Sequence, residues 1–302
     1  LSKEPALQAA LPSSLPSVTW EGRQYAVPMD YAGIGIIYNK DIFQKLGLEA
    51  PATYRDLEKV CRVLKENGVV PFAALLKENW SVGHFITMIH TALLAEKNIA
   101  PADFIASMNA GKSSYGAVDT AKLFSILDFY RANMNSNAGE MGGGEQQQSF
   151  AKGESAMYTI GSYAIPQIQT VNPDMEIDSF VMPASNNTEE NQLNSGIDLQ
   201  FCVMKNCKNK EAAYEVLDFL LKDENVQAYL DDQKAVPCKE GDFELASTLD
   251  GMKKYIKEGK MSDFQDHYYP SEMAVDAQIQ TFLMKKDPKA FLKKFDTDWV
   301  RY

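Results

Sequence analysis

Short apolar runs alternate with stretches of helical period along almost the whole chain, and this alternation restricts the fold more than any other feature. Ile34-Gly35-Ile36-Ile37-Tyr38, Pro71-Phe72-Ala73-Ala74-Leu75, the run 156–160, Phe180-Val181-Met182-Pro183 and the run 200–204 have the length of strands and are bounded by turn residues. Between and after them, 41–46, 82–96, 101–108, 119–132, 210–221, 223–232, 244–258, 271–284 and 288–300 read as helices. Strands separated by helices make an α/β protein. No internal repeat is visible.

Local signals sharpen the pattern. Thr53 reads as an N-cap with Asp56 as its capping-box partner, and Leu57, Val60, Cys61 and Leu64 follow at helical spacing. Phe85, Ile86, Ile89 and Leu93 form a second apolar stripe. Asp287-Pro288 is a helix start, with proline at the first helical position. Residues 1–18 read as irregular, and Gly22 as a turn between Trp20 and a short strand that stops at Pro28. Residues 137–146 read as a flexible loop. Its Gly142-Gly143-Gly144 lacks the following Lys-Ser/Thr of a phosphate loop.

Composition excludes several functions. A chain of 302 residues, 45% hydrophobic, can build two cores. Its 41 acidic against 30 basic residues, a net charge of −11, do not suit a nucleic-acid partner. No apolar run reaches the length of about 18 residues needed to span a bilayer. Leu1 opens without Met or a charged-then-apolar leader, so a localisation signal is expected outside this sequence. The spacing of Cys61, Cys202, Cys207 and Cys238 fits no zinc site. Cys61 falls on an apolar helix face, and a disulfide among the other three stays open. Neither a Ser-His-Asp set, a metal triad nor a nucleotide fingerprint is present, so no enzyme and no cofactor is expected. Asp30 and Asp198 could be imagined as a glycosidase pair, but nothing local marks either as a raised-pKa acid.

Four segments, in order, resemble the sugar-binding members of the bacterial extracellular solute-binding proteins, the group that includes the maltose-binding proteins. The first runs from Trp20-Glu21-Gly22-Arg23-Gln24-Tyr25-Ala26-Val27-Pro28 into Ile36-Ile37-Tyr38-Asn39-Lys40-Asp41, followed by Pro51-Ala52-Thr53-Tyr54. The second is Phe150-Ala151-Lys152-Gly153-Glu154-Ser155-Ala156-Met157 with Gly161-Ser162-Tyr163, and the third Met182-Pro183. The fourth is 209–220 with Lys234-Ala235-Val236-Pro237. The resemblance implies a two-lobe periplasmic-binding-protein type II fold with hinge strands. Family members carry a further βαβα stretch before the first segment, so the first lobe is expected to be incomplete in this chain. The implied divisions are 1–32 (remnant of lobe I and first hinge strand), 33–181 (lobe II), 182–238 (lobe I) and 239–302 (helices packed mainly on lobe II). Crossings are expected near 29–34, 180–184 and 237–242.

The same resemblance implies capture of a sugar or oligosaccharide between the lobes. It further implies delivery to the membrane permease of an ABC importer, by a monomer that is extracellular, a cell-surface lipoprotein, or periplasmic. A polyamine, peptide or phosphate-ester ligand, or a sensor role, remains open on the same fold. Sugars present apolar C–H faces and a rim of hydroxyls, so rings and carboxylates are the candidates. Asp30 and Tyr31, at the first crossing, suit a hydroxyl clamp or a plain turn. Trp80 lies past the carboxyl end of a strand, where a stacking ring or a core ring would fit. His84, one turn on, reads as structural. Tyr163 takes the place of a family Trp, with Ser162 as an N-cap. Gly196 resembles a family glycine that lets ligand approach the backbone, and Asp198 beside it is a hydroxyl acceptor or turn residue. Tyr268 or Tyr269 resembles a third strip of the cleft.

Overall fold

The computed structural model describes residues 5–302. Residues 1–4 of the segment read as irregular lie outside it. The remainder of that segment is a short helix α1 (Pro5–Gln8) and 3-10 turns at Pro12–Ser14 and Pro16–Val18. The hairpin β1 (Thr19–Trp20) and β2 (Arg23–Gln24) turns through Glu21 and Gly22 at φ 48° and 73°, the left-handed region that Gly enters freely. The chain continues into β3 (Val27–Pro28), β4 (Asp30–Ile34) and β5 (Ile36–Asn39). Helices α2 (Lys40–Lys45) and α3 (Tyr54–Glu66) come next, then β6 (Val70–Ala73), α4 (Asn79–Ala95), α5 (Pro101–Asn109) and α6 (Thr120–Asn133). Helix α7 (Gly143–Ala151), β7 (Ser155–Tyr158), α8 (Ile165–Val171) and β8 (Ile177–Phe180) complete this half.

The later half contains β9 (Leu193–Ile197), β10 (Gln200–Phe201), α9 (Lys210–Leu220), α10 (Asp223–Gln233) and β11 (Val236–Pro237). It ends with α11 (Asp250–Lys257), β12 (Met261–Ser262), α12 (Val275–Lys285) and α13 (Pro288–Arg301). Two four-stranded sheets organise the molecule. One has the order β11-β4-β9-β12, the other β6-β7-β5-β8, and β3 pairs with β10 beside the first.

Each sheet is covered on both faces, which is why its strands carry little polar alternation. In β5, Ile36 and Tyr38 join the large core with Leu57, Val60, Cys61 and Leu64 of α3. Ile37, pointing the other way, joins Phe150 of α7 and Ile165 and Ile168 of α8. The α3 stripe is at most 4% exposed, and burying each large apolar side chain contributes roughly 1.5–3 kcal/mol. Its start is the expected capping box: Thr53 Oγ1 accepts from the Asp56 N–H at 3.2 Å, and Asp56 Oδ2 accepts from the Thr53 N–H at 3.2 Å. Glycines expected to be loop are instead the first turn of α7: Gly142 is its N-cap, and Glu145 Oε2 accepts the Gly142 N–H at 2.8 Å. All four cysteines are free, with Cys61 and Cys238 buried.

Strands β4 and β5 are one extended run broken only at Gly35, so a single stretch of chain belongs to both sheets. A Cβ at Gly35 would fall 2.4 Å from Met252 Cε and 2.7 Å from the Phe180 carbonyl oxygen. A second connection runs from β8 to β9. The third follows β12, which pairs parallel with β9 before the 3-10 turn Gln265–Tyr268 packs on α4 and α5. The stretch 237–242, expected as that crossing, stays with the first sheet: Pro237 pairs with Asp30, and the Cys238 N–H donates to the Met29 carbonyl at 3.1 Å. Helix α11 lies against these connections. A Cβ at Gly251 would fall 1.9 Å from the Ser179 carbonyl oxygen.

Candidate functional site

Strands β6 and β7 are parallel neighbours, and the turns after their carboxyl ends open on the same side. Such ends are where open α/β sheets hold ligands. The turn after β6 leads to Trp80 in the first turn of α4. Ser81 fixes that start, its hydroxyl donating to the Leu75 carbonyl and, at 3.0 Å, to the Glu78 carbonyl. The turn after β7 leads to Tyr163, in the 3-10 turn Ser162–Ala164. The Tyr163 ring folds back over Gly161, where a Cβ would lie 2.3 Å from Tyr163 Cε1. The Trp80 and Tyr163 ring centres are 6.4 Å apart, inclined at 51°. His84, four residues after Trp80 on the same helix face, meets Trp80 edge to face at 5.6 Å.

The first sheet supplies carboxylates. Asp30 is 2% exposed; its Oδ1 accepts the Leu199 N–H at 2.9 Å and its Oδ2 the Tyr229 hydroxyl at 3.2 Å. Burial is the largest influence on it, and the nearby Asp198 adds to it, so its pKa rises to about 6 despite those hydrogen bonds. The Asp198 N–H donates to the Asp30 carbonyl at 3.1 Å. Asp198 keeps part of its side chain in water, yet the protein around it still raises its pKa, against the pull of His84 and His267. Its charge also acts on Tyr163, whose hydroxyl burial pushes well up. Asp198 is thus near enough to Tyr163 for its charge to be felt there.

The sequence candidates divide accordingly. Trp80 and Tyr163 are brought together, with Asp198 close enough for its charge to act on Tyr163, whereas Asp30 is buried in the first sheet with both oxygens held by Leu199 and Tyr229. Tyr31 is apart from them too: neighbouring strand residues point to opposite faces, and its ring packs with Val181, Leu193 and Val236 beneath the sheet, its hydroxyl 2.9 Å from Ser13 Oγ. At Gly196 the room left by the missing side chain is filled by protein, since a Cβ would lie 2.5 Å from Phe264 and 2.7 Å from Asp263 Oδ1. Tyr268 donates to Asp263 Oδ2 at 2.5 Å and is 43% exposed. Tyr269 packs edge-on against Phe295 and Trp299 at 5.4 and 5.7 Å, with its hydroxyl on Gln265 Oε1 at 3.1 Å. Neither tyrosine adjoins the Trp80–Tyr163 pair.

Phe264 and His267 of this region escaped the sequence, and both lie by His84, which reads as structural there. Phe264 stacks on His84, centres 5.5 Å apart and planes at 15°. His84 Nε2 lies 3.8 Å from Asp266 Oδ2, but burial dominates and lowers its pKa. His267 Nδ1 lies 3.6 Å from Asp263 Oδ1. Burial opposes its charge, but the hydrogen bond to Asp263 and the charges of Asp266, Asp263 and Asp198 prevail and raise its pKa. Only the cluster Asp263–Asp266–His267 in the sequence could have signalled a polar edge here. Among the described residues, no group of three or more His, Cys, Asp or Glu is placed to hold a metal ion, and no helix is long and apolar enough to cross a membrane.

The family model described as bacterial extracellular solute-binding protein matches residues 2–227. A multiple sugar-binding protein of Streptococcus mutans is 24% identical over 273 residues, covering 88% of this chain and 63% of that protein. A putative binding protein of Brucella abortus is 27% identical over 214 residues, covering 68% of this chain and 48% of its own length. The chain thus spans about half to two thirds of these curated relatives. Among solved structures, a solute-binding protein in complex with raffinose superposes with a TM-score of 0.87 at 20% identity, over 100% of this chain and 79% of that one. A Bacillus licheniformis sugar transporter in complex with stachyose gives 0.79 at 19% identity, over 100% and 80%. These superpositions establish the two-lobe fold.

Proposed function

The chain belongs to the bacterial extracellular solute-binding protein family, and on that premise we propose that it captures a sugar or oligosaccharide between its lobes outside the cytoplasm and hands it, as a monomer, to the permease of an ABC importer. We divide the chain as the resemblance suggests, with 1–32 and 182–238 in one lobe, 33–181 in the other, and the helices after 239 mainly on the second. One observation carries the reading: the rings of Trp80 and Tyr163 lie 6.4 Å apart at the carboxyl ends of neighbouring strands, and the charge of Asp198, from the other sheet, acts on Tyr163. Rings accept the C–H faces of a pyranose, and carboxylates accept its hydroxyls through charge-assisted hydrogen bonds. The raffinose and stachyose complexes of structural relatives, and a chitin oligosaccharide binding protein of the same fold, support this ligand class. A ligand that touches both lobes favours the closed arrangement by its differential contacts.

The test is a melting-temperature screen of the protein against raffinose, stachyose, chitotriose, spermidine and a hexose phosphate, followed by calorimetry. A ligand that binds only the folded chain raises the midpoint. A saccharide is expected to bind with a Kd in the micromolar range, about −8 kcal/mol. Stabilisation by spermidine or the phosphate ester alone would refute the sugar reading.

A further inference from the structure

Glu78 joins two supports of the candidate cleft. Its Oε2 accepts the Trp80 Nε1–H at 2.8 Å, and its Oε1 accepts the Gly143 backbone N–H at 2.8 Å. Gly143 opens α7, so that N–H belongs to a helix start and has no partner within the helix. A Cβ at Gly143 would lie 3.3 Å from Glu78 Oε1, a tight approach that glycine leaves open. The carboxylate is thereby fixed at one oxygen and holds the indole with the other.

An indole has one donor and no acceptor. With its N–H taken by Glu78, Trp80 keeps only its faces and its carbon edge, turned toward Tyr163 and His84. The other two tryptophans do not share this arrangement: Trp20 is 70% exposed, and Trp299 lies in the core among α12 and α13 residues.

We propose that Glu78 is a positioning residue of the cleft: by bridging the Gly143 N–H and the Trp80 indole, it holds Trp80 in one orientation as a stacking face with no free donor. The inference deepens the sugar reading and rests on it. It makes Trp80 a reader of the C–H face of a sugar ring and leaves hydroxyl recognition to other side chains of the cleft, Asp198 first among them.

The test uses the full chain, labelled with nitrogen-15, and whichever of raffinose, stachyose and chitotriose binds best. The Trp80 indole N–H resonance is identified by its loss in Trp80→Phe. In Glu78→Gln and Glu78→Ala this resonance is expected to shift and to exchange faster with water. Affinity in Glu78→Ala is expected to fall about three- to tenfold, the cost of immobilising one side chain on binding. In a Trp80→Ala background, Glu78→Ala should change affinity no further. An unmoved indole resonance in the Gln variant overturns the proposal, as does an affinity loss that is the same with and without Trp80. Should no saccharide bind the unaltered protein, the sugar reading fails, while the indole resonance still decides whether Glu78 holds the ring.

Discussion

Asp30 is the residue at which burial, hydrogen bonding and charge are most directly opposed, and Asp30→Asn isolates the charge. The carboxyl is 2% exposed, has no cation beside it among the described residues, and carries a pKa raised from 3.8 to about 6. A pKa higher in the folded than in the unfolded chain means that the folded state holds its proton more tightly. The associated stability is present in full below pH 3.8 and is lost as pH rises through about 6. One pKa unit corresponds to about 1.4 kcal/mol, so at neutral pH the ionised carboxylate costs up to about 3 kcal/mol. Asparagine keeps the shape and both hydrogen bonds, because its carbonyl can accept the Leu199 N–H and its amide can donate to the Tyr229 oxygen. Chemical unfolding followed by far-UV circular dichroism should find Asp30→Asn more stable than the unaltered chain at about pH 8, by as much as about 3 kcal/mol, with the difference shrinking toward zero near pH 4. A variant that is less stable at pH 8, or a difference that ignores pH, would refute the argument.

Other predictions follow the same geometry. Tyr163→Ala should weaken saccharide binding about tenfold, as expected for removing an aromatic contact of 1–1.5 kcal/mol; calorimetry showing an unchanged Kd would remove Tyr163 from the cleft. Tyr268→Phe should leave affinity within about twofold, whereas Tyr269→Ala should lower stability by about 3–5 kcal/mol through the cavity left between Phe295 and Trp299. Gly251→Ala should destabilise by about 1–3 kcal/mol, because its methyl meets the Ser179 backbone. Gly144→Ala, with open space around it in the first turn of α7, should stabilise by up to about 1 kcal/mol in the same melts.

Periodicity and capping chemistry made the helices legible. The α3 stripe, the Thr53–Asp56 box and the Asp287 cap, whose Oδ1 accepts the Ala290 N–H at 3.0 Å, all occur where local residues predict them. Strand β9 was hidden because Leu193-Asn194-Ser195-Gly196-Ile197 is polar and small in its middle, as a buried central strand seldom is. Strand β12, two residues long, leaves no period to read. Trp80 and Tyr163 could be anticipated from their places after strands. The facing of Asp30 and Tyr31 could not, since it depends on the pairing of β4 with β9, and adjacent residues necessarily part company across a pleat. Phe264 was invisible for a related reason: its place is set by the space above Gly196, nearly seventy residues away in the chain.

Helix α11 has a further use. Gly251 rests on the Ser179–Phe180 backbone, and Met252 reaches the sites of Gly33 and Gly35, so any swing of one half against the other must tilt this short rod. Lys257, at the end of this helix, is exposed. An optical probe fixed there would report any change in how α11 rests on the Ser179–Phe180 backbone.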